Sequence, residues 1–209
     1  MNSTYIEKFK INIKKSGILD PEGIHHEFVS GMHGRKLDFD AIPDDSDLFN
    51  EWVDVVVKFI KETYQDIDHA RLAIVSVANG TNRLVPLVAN KLGGGSVALL
   101  TEKVSPKEVK LTDEAVKKLK SFAHDLVVTI EDVGTKGTTS ATALRSAMAA
   151  GAKRVESINT WQRRHRLEEI ESLGVVNHSI ITDLLPTLTP EDCRKSEYCA
   201  KGWQYIEHA

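Results

Sequence analysis

Two adjacent carboxylates, Glu131 and Asp132, are followed directly by a short loop rich in glycine and threonine. Neighbouring carboxylates can accept hydrogen bonds from the two vicinal hydroxyls of a ribose. The N–H groups of such a loop, together with a helix N-terminus behind it, favour a phosphate group. The residue types and their order therefore predict a pocket for ribose 5-phosphate.

The segment from Leu126 to Leu144 supplies the elements that would position these groups. Its apolar, β-branched start predicts a buried strand that ends at the two carboxylates. Gly134 and Gly137 would allow the backbone to approach a ligand closely, and the small residues after them predict a helix. An ordinary strand–loop–helix, or another nucleotide-binding turn, is the alternative. The segment lacks the P-loop and dinucleotide-fold glycine patterns.

This segment, LVVTIEDVGTKGTTSATAL, resembles the phosphoribosyl pyrophosphate (PRPP) motif of type I phosphoribosyltransferases. The resemblance implies PRPP binding, with the ribose held by Glu131 and Asp132. It implies Mg²⁺ as cofactor, held largely by PRPP oxygens and water, with Asp132 as a candidate ligand. The residues expected at the 5′-phosphate are Gly134, Thr135, Lys136, Gly137, Thr138 and Thr139.

A second motif, VANGTNR at 77–83, follows an earlier apolar run. Its glycine permits close backbone approach to an anion, and the helix start after it adds partial positive charge. By the same resemblance this is the pyrophosphate loop, with Ala78, Asn79, Gly80 and Thr81 in contact. A plain strand–helix turn is the alternative.

The segment 101–113 carries lysines and a proline, and it predicts a mobile loop. Cations on a closing loop can neutralise a departing pyrophosphate and exclude water, which makes Lys103 and Lys107 the candidate catalytic residues. In orotate phosphoribosyltransferases, which this loop resembles, an arginine precedes the first lysine and a histidine follows. Here Glu102 takes the arginine position and the histidine is absent. A solvated surface loop is the alternative.

A third candidate lies at the end of the strand in INTWQRRHRLEEI, 158–170. The orotate enzymes carry a base-facing arginine there, and either Trp161 or Arg163 aligns with it. Arg163 would bind the carboxylate of an acidic pyrimidine through its guanidinium fork. Alternatively, Arg163, Arg164 and Arg166 only decorate the first turn of a helix whose glutamates balance them.

Thr135 bears on the choice of base. Purine-salvage relatives place an aspartate at this position, whereas orotate enzymes have a threonine. The resemblance therefore implies phosphoribosyl transfer to a nitrogenous base, with orotate first. The alternatives are transfer to another base, a PRPP-binding regulatory protein with weak or no turnover, and an unrelated α/β binding module.

The order of elements predicts an α/β fold with a doubly wound, mostly parallel sheet. Helices are expected at 4–15, 47–64, 81–92 and 164–173, and a strand-turn-strand between Glu27 and Ile42. This organisation divides the chain into a helix and hood hairpin (1–45), a PRPP-binding core (46–186) and a C-terminal helix or tail (187–209). The hood FVSGMHGRKLDFD also resembles that of orotate enzymes, with Gly34-Arg35 in place of Ser-Pro.

Composition favours a soluble cytoplasmic protein. The chain has 209 residues, a net charge of −3 and no apolar run long enough for a membrane span, so neither nucleic acid nor a membrane is an expected partner. The charged N-terminus is unlike a signal peptide. A homodimer is expected from the resemblance. Cys193 and Cys199 are the two cysteines of the chain, so a disulfide framework is not expected and their spacing is weak evidence for zinc. His25, His26 and His33 lie close together in the sequence, but a metal site is not expected there either.

Overall fold

The computed structural model describes residues 4–28 and 32–206, without the side chains of Ala78, Asn79 and Glu197. Its helices are α1 (Thr4–Lys15), α2 (Asp47–Thr63), α3 (Ala78–Asn82), α4 (Leu84–Leu92), α5 (Asp113–Ser121), α6 (Thr138–Ala149), α7 (Glu168–Glu171), α8 (Pro190–Lys195) and α9 (Glu197–Ala200). Its strands are β1 (Ile24–Glu27), β2 (His33–Gly34), β3 (Leu72–Ser76), β4 (Val97–Leu99), β5 (Thr101–Ser105), β6 (Glu108–Leu111), β7 (Leu126–Gly134), β8 (Val155–Gln162), β9 (Val176–Thr182) and β10 (Gln204–Ile206). Short 3₁₀ turns lie at Phe39–Ala41 and His69–Arg71.

The central sheet has five parallel strands in the order β4-β3-β7-β8-β9, which confirms the α/β class and the parallel sheet. Alternate residues of β3 enter different hydrophobic cores: Leu72 and Ile74 pack with α2 and α4, whereas Ala73 and Val75 pack with α5 and α6. Helices therefore cover both faces of the sheet. Strand β7 occupies the centre, so its carboxyl end lies where open parallel sheets bind ligands.

Helices α1 and α2 begin where the sequence predicts. Ser46 caps α2 by accepting a 3.1 Å hydrogen bond from the Phe49 N–H. Trp52 of α2 is fully buried, and its Nε1 donates to Thr160 Oγ1 at 2.9 Å. This bond fixes the helix against strand β8, next to the strand end that carries Arg163.

The predicted loop at 101–113 is wrong in part, because most of it forms the antiparallel hairpin β5–β6. Val109 and Leu111 of β6 are buried against α6. Their N–H groups donate to Thr142 Oγ1 at 3.1 Å and Ser146 Oγ at 2.9 Å. Val109 and Leu111 therefore attach the hairpin to the core, although the lysines and the proline of this segment indicate a loop in the sequence.

Two predicted helices also differ from the structure. The helix expected at 81–92 is divided into α3 and α4, since Pro86 has no N–H to donate to Asn82 one turn earlier. The charged helix expected at 164–173 shrinks to the single turn α7.

The hood is a small three-stranded sheet in the order β10-β1-β2. The predicted hairpin lies earlier than expected, because β1 pairs with β2 and the alternating residues near Phe39 form a 3₁₀ turn. Val29–Gly31, at the predicted turn, lie outside the described residues. Strand β10 joins β1 in parallel, so the C-terminal tail contributes a strand to the hood.

No helix within 4–28 and 32–206 is both long and apolar enough to cross a membrane.

Candidate active site

A cleft of about 570 Å³ opens beyond the carboxyl ends of β7 and β8. One wall is the β7–α6 loop, and the opposite wall comes from the hood and from the residues after β8. The lining residues are Phe28, Met32, Lys107, Glu131, Thr135, Lys136, Gly137, Thr138, Thr139, Arg163, Arg164, Glu169 and Thr187. One cavity therefore contains most of the residues expected at the 5′-phosphate, one candidate lysine and the candidate base-binding arginine.

The two loop glycines are required by packing inside the protein. A Cβ on Gly134 would lie 2.7 Å from Asn159 Oδ1, and one on Gly137 would lie 2.7 Å from Ile170 Cγ1. Gly137 also has a φ of 75°, which side chains rarely adopt. The sequence analysis explains these glycines by close approach to a ligand. Contacts with Asn159 and Ile170 add a steric reason, which the sequence alone does not show.

The loop leads into the N-terminus of α6, which faces the cleft through Thr138 and Thr139. Gly137 occupies the N-cap position, so the N-cap residue has no side chain to accept from the first-turn N–H groups of α6. These N–H groups and the positive end of a twelve-residue helix favour an anion. Thr135 and Lys136 are exposed at the mouth of the cleft and add a hydroxyl and a positive charge.

Glu131 lies on the cleft floor and is 9% exposed. Its Oε2 accepts a 2.7 Å hydrogen bond from Ser140 Oγ in the first turn of α6. Burial raises the pKa of Glu131 to about 8, and the nearby charge of Asp132 adds to that increase. The carboxyl group is therefore largely protonated at neutral pH.

Asp132 does not line that cleft, and its carboxylate lies beside Gly80 in the segment after β3. A Cβ on Gly80 would lie 2.6 Å from Asp132 Oδ2, so a side chain at this position would require the Asp132 carboxylate to move. The Val133 N–H donates to Asp132 Oδ1 at 2.8 Å. Burial raises the pKa of Asp132 to about 6, and the charges of Asp40 and Asp38 raise it further. A cation beside these three carboxylates would relieve their repulsion.

Thr81, expected at the pyrophosphate, is fully buried. Its hydroxyl accepts from the Val77 N–H at 2.7 Å and donates to the Ile130 carbonyl at 2.9 Å. The bond to Ile130 joins α3 to β7, and Gly80 of α3 lies against Asp132 of β7. A contact from Thr81 to a ligand would therefore come from its backbone. The backbone of Ala78 and Asn79 begins helix α3, and their side chains lie outside the described part of the chain.

The two candidate catalytic lysines lie at different places in the hairpin. Lys107 is in the turn between β5 and β6 and lines the cleft, whereas Lys103 is exposed on β5 and does not line it. Glu102, which takes the position of the expected arginine, forms a 3.2 Å ion pair with Lys110 across the hairpin.

Arg163 follows β8 and faces the cleft, although it is only 5% exposed. Its guanidinium lies 5.3 Å from the Phe28 ring centroid and donates to the Arg35 carbonyl at 2.8 Å. Its buried Nε has no hydrogen-bond partner among the described residues. Burial lowers the pKa of Arg163 to about 10, so it stays charged at neutral pH.

Three residues near Arg163 distinguish between the alternative interpretations of this segment. Trp161 is fully buried and donates from Nε1 to the Asp183 carbonyl at 3.1 Å, so it belongs to the core. Arg164 lines the cleft. Arg166 is exposed and pairs with Glu171, as expected for a surface arginine balanced by a glutamate of the helix.

The hood contributes cleft residues that the sequence did not single out. Phe28 and Met32 lie on either side of residues 29–31 in the sequence, and Thr187 comes from the tail. A Cβ on Gly34 would lie 3.3 Å from the Arg163 guanidinium and 2.9 Å from the Pro186 carbonyl oxygen. The substitution of Gly34-Arg35 for Ser-Pro thus lies against Arg163. Ser140 was also missed, and its position in the first turn after the loop was the available signal.

Neither a protein-family profile nor a curated protein sequence matches the chain. Solved structures do resemble it. The orotate phosphoribosyltransferase of Aeropyrum pernix is 20% identical with a TM-score of 0.59, over 85% of this chain and 93% of that one. The same enzyme of Mycobacterium tuberculosis, solved in complex with PRPP, is 15% identical with a TM-score of 0.58, over 85% and 96%. The adenine phosphoribosyltransferase of Saccharomyces cerevisiae is 16% identical with a TM-score of 0.58, over 85% and 99%.

These neighbours share the parallel sheet, and the alignments span most of each chain. The chain therefore has the fold of the type I phosphoribosyltransferases.

Proposed function

We propose that this chain transfers a phosphoribosyl group from PRPP to a nitrogenous base and releases pyrophosphate. The observation that carries the proposal is the junction of β7 and α6. There, two carboxylates suited to a ribose diol lie beside a helix N-terminus without a side-chain cap. A buried arginine, Arg163, lines the same cleft as Glu131, whereas Asp132 lies next to that cleft, beside Gly80.

The substrate would be held from three sides. Glu131 and Asp132 accept hydrogen bonds from the ribose hydroxyls, and the loop 134–139 binds the 5′-phosphate. The pyrophosphate lies towards Gly80 and the neighbouring backbone of 78–81. Mg²⁺ would be held mainly by PRPP oxygens and water, with Asp132 as the protein group beside it, and would supply charge neutralisation for the pyrophosphate.

The chain's own groups would assist departure of pyrophosphate by electrostatics. Lys107 lies at the cleft edge and can place its ammonium group near charge that develops on the leaving oxygen. Lys103 can do so only if β5 moves, since it does not line the cleft in this structure. Closure of the hairpin would also exclude water from the electron-poor anomeric carbon.

Orotate is the first candidate for the base. Thr135 offers no carboxylate to deprotonate a purine, and Arg163 offers a guanidinium to an acidic pyrimidine. Phe28 beside Arg163 adds an aromatic face for a planar ring. The solved structures of similar fold include both orotate and adenine enzymes, so the base depends on these local residues.

A PRPP-binding regulatory protein is the second candidate. It is favoured by the hairpin, where Glu102 replaces the expected arginine and pairs with Lys110, and where the expected histidine is missing. Such a protein would bind PRPP at the same residues without turnover.

Pyrophosphate release from Mg²⁺-PRPP, measured with orotate, uracil, adenine, guanine and hypoxanthine in turn, tests the proposal. We expect release with orotate above that with any purine. Preferential release with a purine would overturn the choice of orotate but not the transfer. PRPP binding without release for any base would overturn the transfer and favour the regulatory protein. The homodimer and the cytoplasmic location stay predictions, which sedimentation and cell fractionation would test.

A further inference from the structure

Four side chains that can bind a metal meet in the hood, outside the cleft. They are His25, His33, Cys193 and Cys199, and one ligand atom from each lies within 4.8 Å of all the others. Cys193 Sγ lies 2.9 Å from Cys199 Sγ, and Cys199 Sγ lies 3.4 Å from His25 Nε2. The histidines and the cysteines lie more than 150 residues apart in the sequence, and the fold brings them together.

Backbone hydrogen bonds hold the elements that carry these four side chains close together. His25 lies on β1 and His33 on β2, while Cys193 and Cys199 lie on α8 and α9. The His33 N–H donates to the Leu188 carbonyl and the Leu188 N–H donates back, both at 2.8 Å. The Gln204 N–H donates to the Gly23 carbonyl at 2.7 Å, which aligns β10 with β1. The two ends of the chain are therefore held in register around the four side chains.

Two of the four side chains are buried, whereas His33 and Cys199 are partly exposed. His25 is 1% exposed and Cys193 is fully buried. Tyr198 stacks on His25 at 5.8 Å and Tyr205 stacks on His33 at 5.3 Å between ring centroids. The buried Nδ1 of His33 has no hydrogen-bond partner among the described residues. A buried polar nitrogen in an aromatic shell is unfavourable unless something binds it or its ring.

The four ligand atoms are close enough to meet around one ion, and both cysteines are free. With bonds of about 2.3 Å to sulfur and about 2.0 Å to nitrogen, the ligand atoms around zinc lie roughly 3.3–3.8 Å apart. The sulfurs at 2.9 Å are not joined by an S–S bond of roughly 2.05 Å, and they would move apart to roughly 3.8 Å around the ion. Thiolate and imidazole ligands favour zinc over magnesium or calcium, which prefer oxygen.

We propose that His25, His33, Cys193 and Cys199 bind one Zn²⁺ ion that ties the C-terminal tail to the hood. Four protein ligands leave no open position, so the site is structural. Binding requires both cysteines as thiolates and releases their protons to solvent, with no change of oxidation state. The site does not depend on the proposed transfer reaction. Gly34, next to His33, packs against Arg163, so the ion would also order one wall of the cleft.

The wild-type full-length chain provides the first test. We expect about one zinc per chain by elemental analysis after purification without added metal. Replacement by Co²⁺ should give the visible d–d bands of a tetrahedral site and a thiolate-to-cobalt charge-transfer band. A chain that binds no zinc even after loading, or a Co²⁺ spectrum without thiolate bands, would overturn the proposal. A Cys193–Cys199 disulfide in a metal-free chain under reducing purification would do the same.

Variants assign the ligands. Cys199→Ser and His33→Ala should each reduce zinc content at least 10-fold and lower the thermal midpoint to that of chelator-treated wild type. His26→Asn is the matched control, because His26 is the next residue on β1, faces the other side and pairs with Asp20 at 3.0 Å. It should keep its zinc. Equal zinc loss in His26→Asn, or full zinc in Cys199→Ser, would refute the ligand set.

Discussion

Ser140 Oγ donates a 2.7 Å hydrogen bond to Glu131 Oε2, and this bond joins the first turn of α6 to the end of β7. The anion-binding helix end and the ribose-binding carboxylate are thereby held at a fixed separation. The bond partly offsets the burial that raises the pKa of Glu131 to about 8. Because the pKa of Glu131 differs between the folded and the unfolded chain, the stability of the fold depends on the protonation of this carboxyl group.

The first prediction concerns pH. Folding raises the pKa of Glu131 from 4.5 to about 8, so the folded chain retains a proton that the unfolded chain loses. This contribution to stability is complete below pH 4.5 and is lost as pH rises towards 8. Glu131→Gln removes it. Relative to wild type, the variant should gain roughly 1–4 kcal/mol in free energy of unfolding between acidic and alkaline pH.

Urea unfolding of both proteins at pH 4.5 and pH 8.5 measures this difference. The pH-dependent contribution of Asp132 is present in both proteins and largely cancels. A constant gap between wild type and Glu131→Gln across this range would contradict the raised pKa.

The second prediction separates the two hairpin lysines. Lys107→Ala should lower kcat about 10-fold or more with little change in PRPP affinity, because its charge would act on the leaving group. Lys103→Ala should have the same kind of effect only if the hairpin moves during turnover. Lys110→Ala is the control, since Lys110 pairs with Glu102. Comparison of single-turnover rates with PRPP titrations decides the matter. Wild-type kcat in both Lys103→Ala and Lys107→Ala would make the segment an ordinary solvated hairpin.

The third prediction concerns the base. Arg163→Lys keeps the charge but loses the guanidinium fork, so KM for orotate should rise roughly 10-fold or more while KM for PRPP changes little. Arg166→Lys is the matched control, because Arg166 is exposed and pairs with Glu171. Circular dichroism would check that loss of the bond to Arg35 leaves the fold intact. An unchanged orotate KM would remove Arg163 from the base site.

The fourth prediction tests why Gly137 is glycine. Gly137→Ala should destabilise the chain by roughly 1–3 kcal/mol more than Gly174→Ala does. Both residues have a positive φ, of 75° and 66°, but only at Gly137 would a Cβ meet another side chain, at 2.7 Å. Urea denaturation of the two variants gives the difference. Equal losses would mean that φ alone requires the glycine.

Local patterns made much of the core predictable. The apolar spacing of α1 and α2 and the Ser46 cap place both helices almost to the residue. The run before Glu131 likewise identifies β7, because a central strand is buried on both faces. The hairpin β5–β6 was missed although Val109 and Leu111 alternate with charged residues, a period-two signal that the nearby Pro106 and lysines outweighed.

Contacts distant in sequence explain the rest. Nothing local indicates that β10 pairs with β1, or that Gly34 lies against Arg163. The proposed zinc site is the clearest case, since the histidines alone and the cysteines alone are weak signals, and only the folded hood brings His25 close to Cys199. Spacing-based metal motifs assume ligand pairs that the sequence itself places together.

The central claim is that PRPP binds where β7 meets α6. Calorimetric titration of the wild type with PRPP, with and without Mg²⁺, tests it most directly when Asp132→Ala is titrated beside it. We expect Mg²⁺-dependent binding that Asp132→Ala weakens roughly 10-fold or more, because loss of a hydrogen bond to a charged acceptor costs about 1.5–3 kcal/mol. Asp125→Ala, an exposed acid before the same strand, should bind as the wild type does. Equal PRPP affinity in Asp132→Ala and wild type would contradict the assignment of the site.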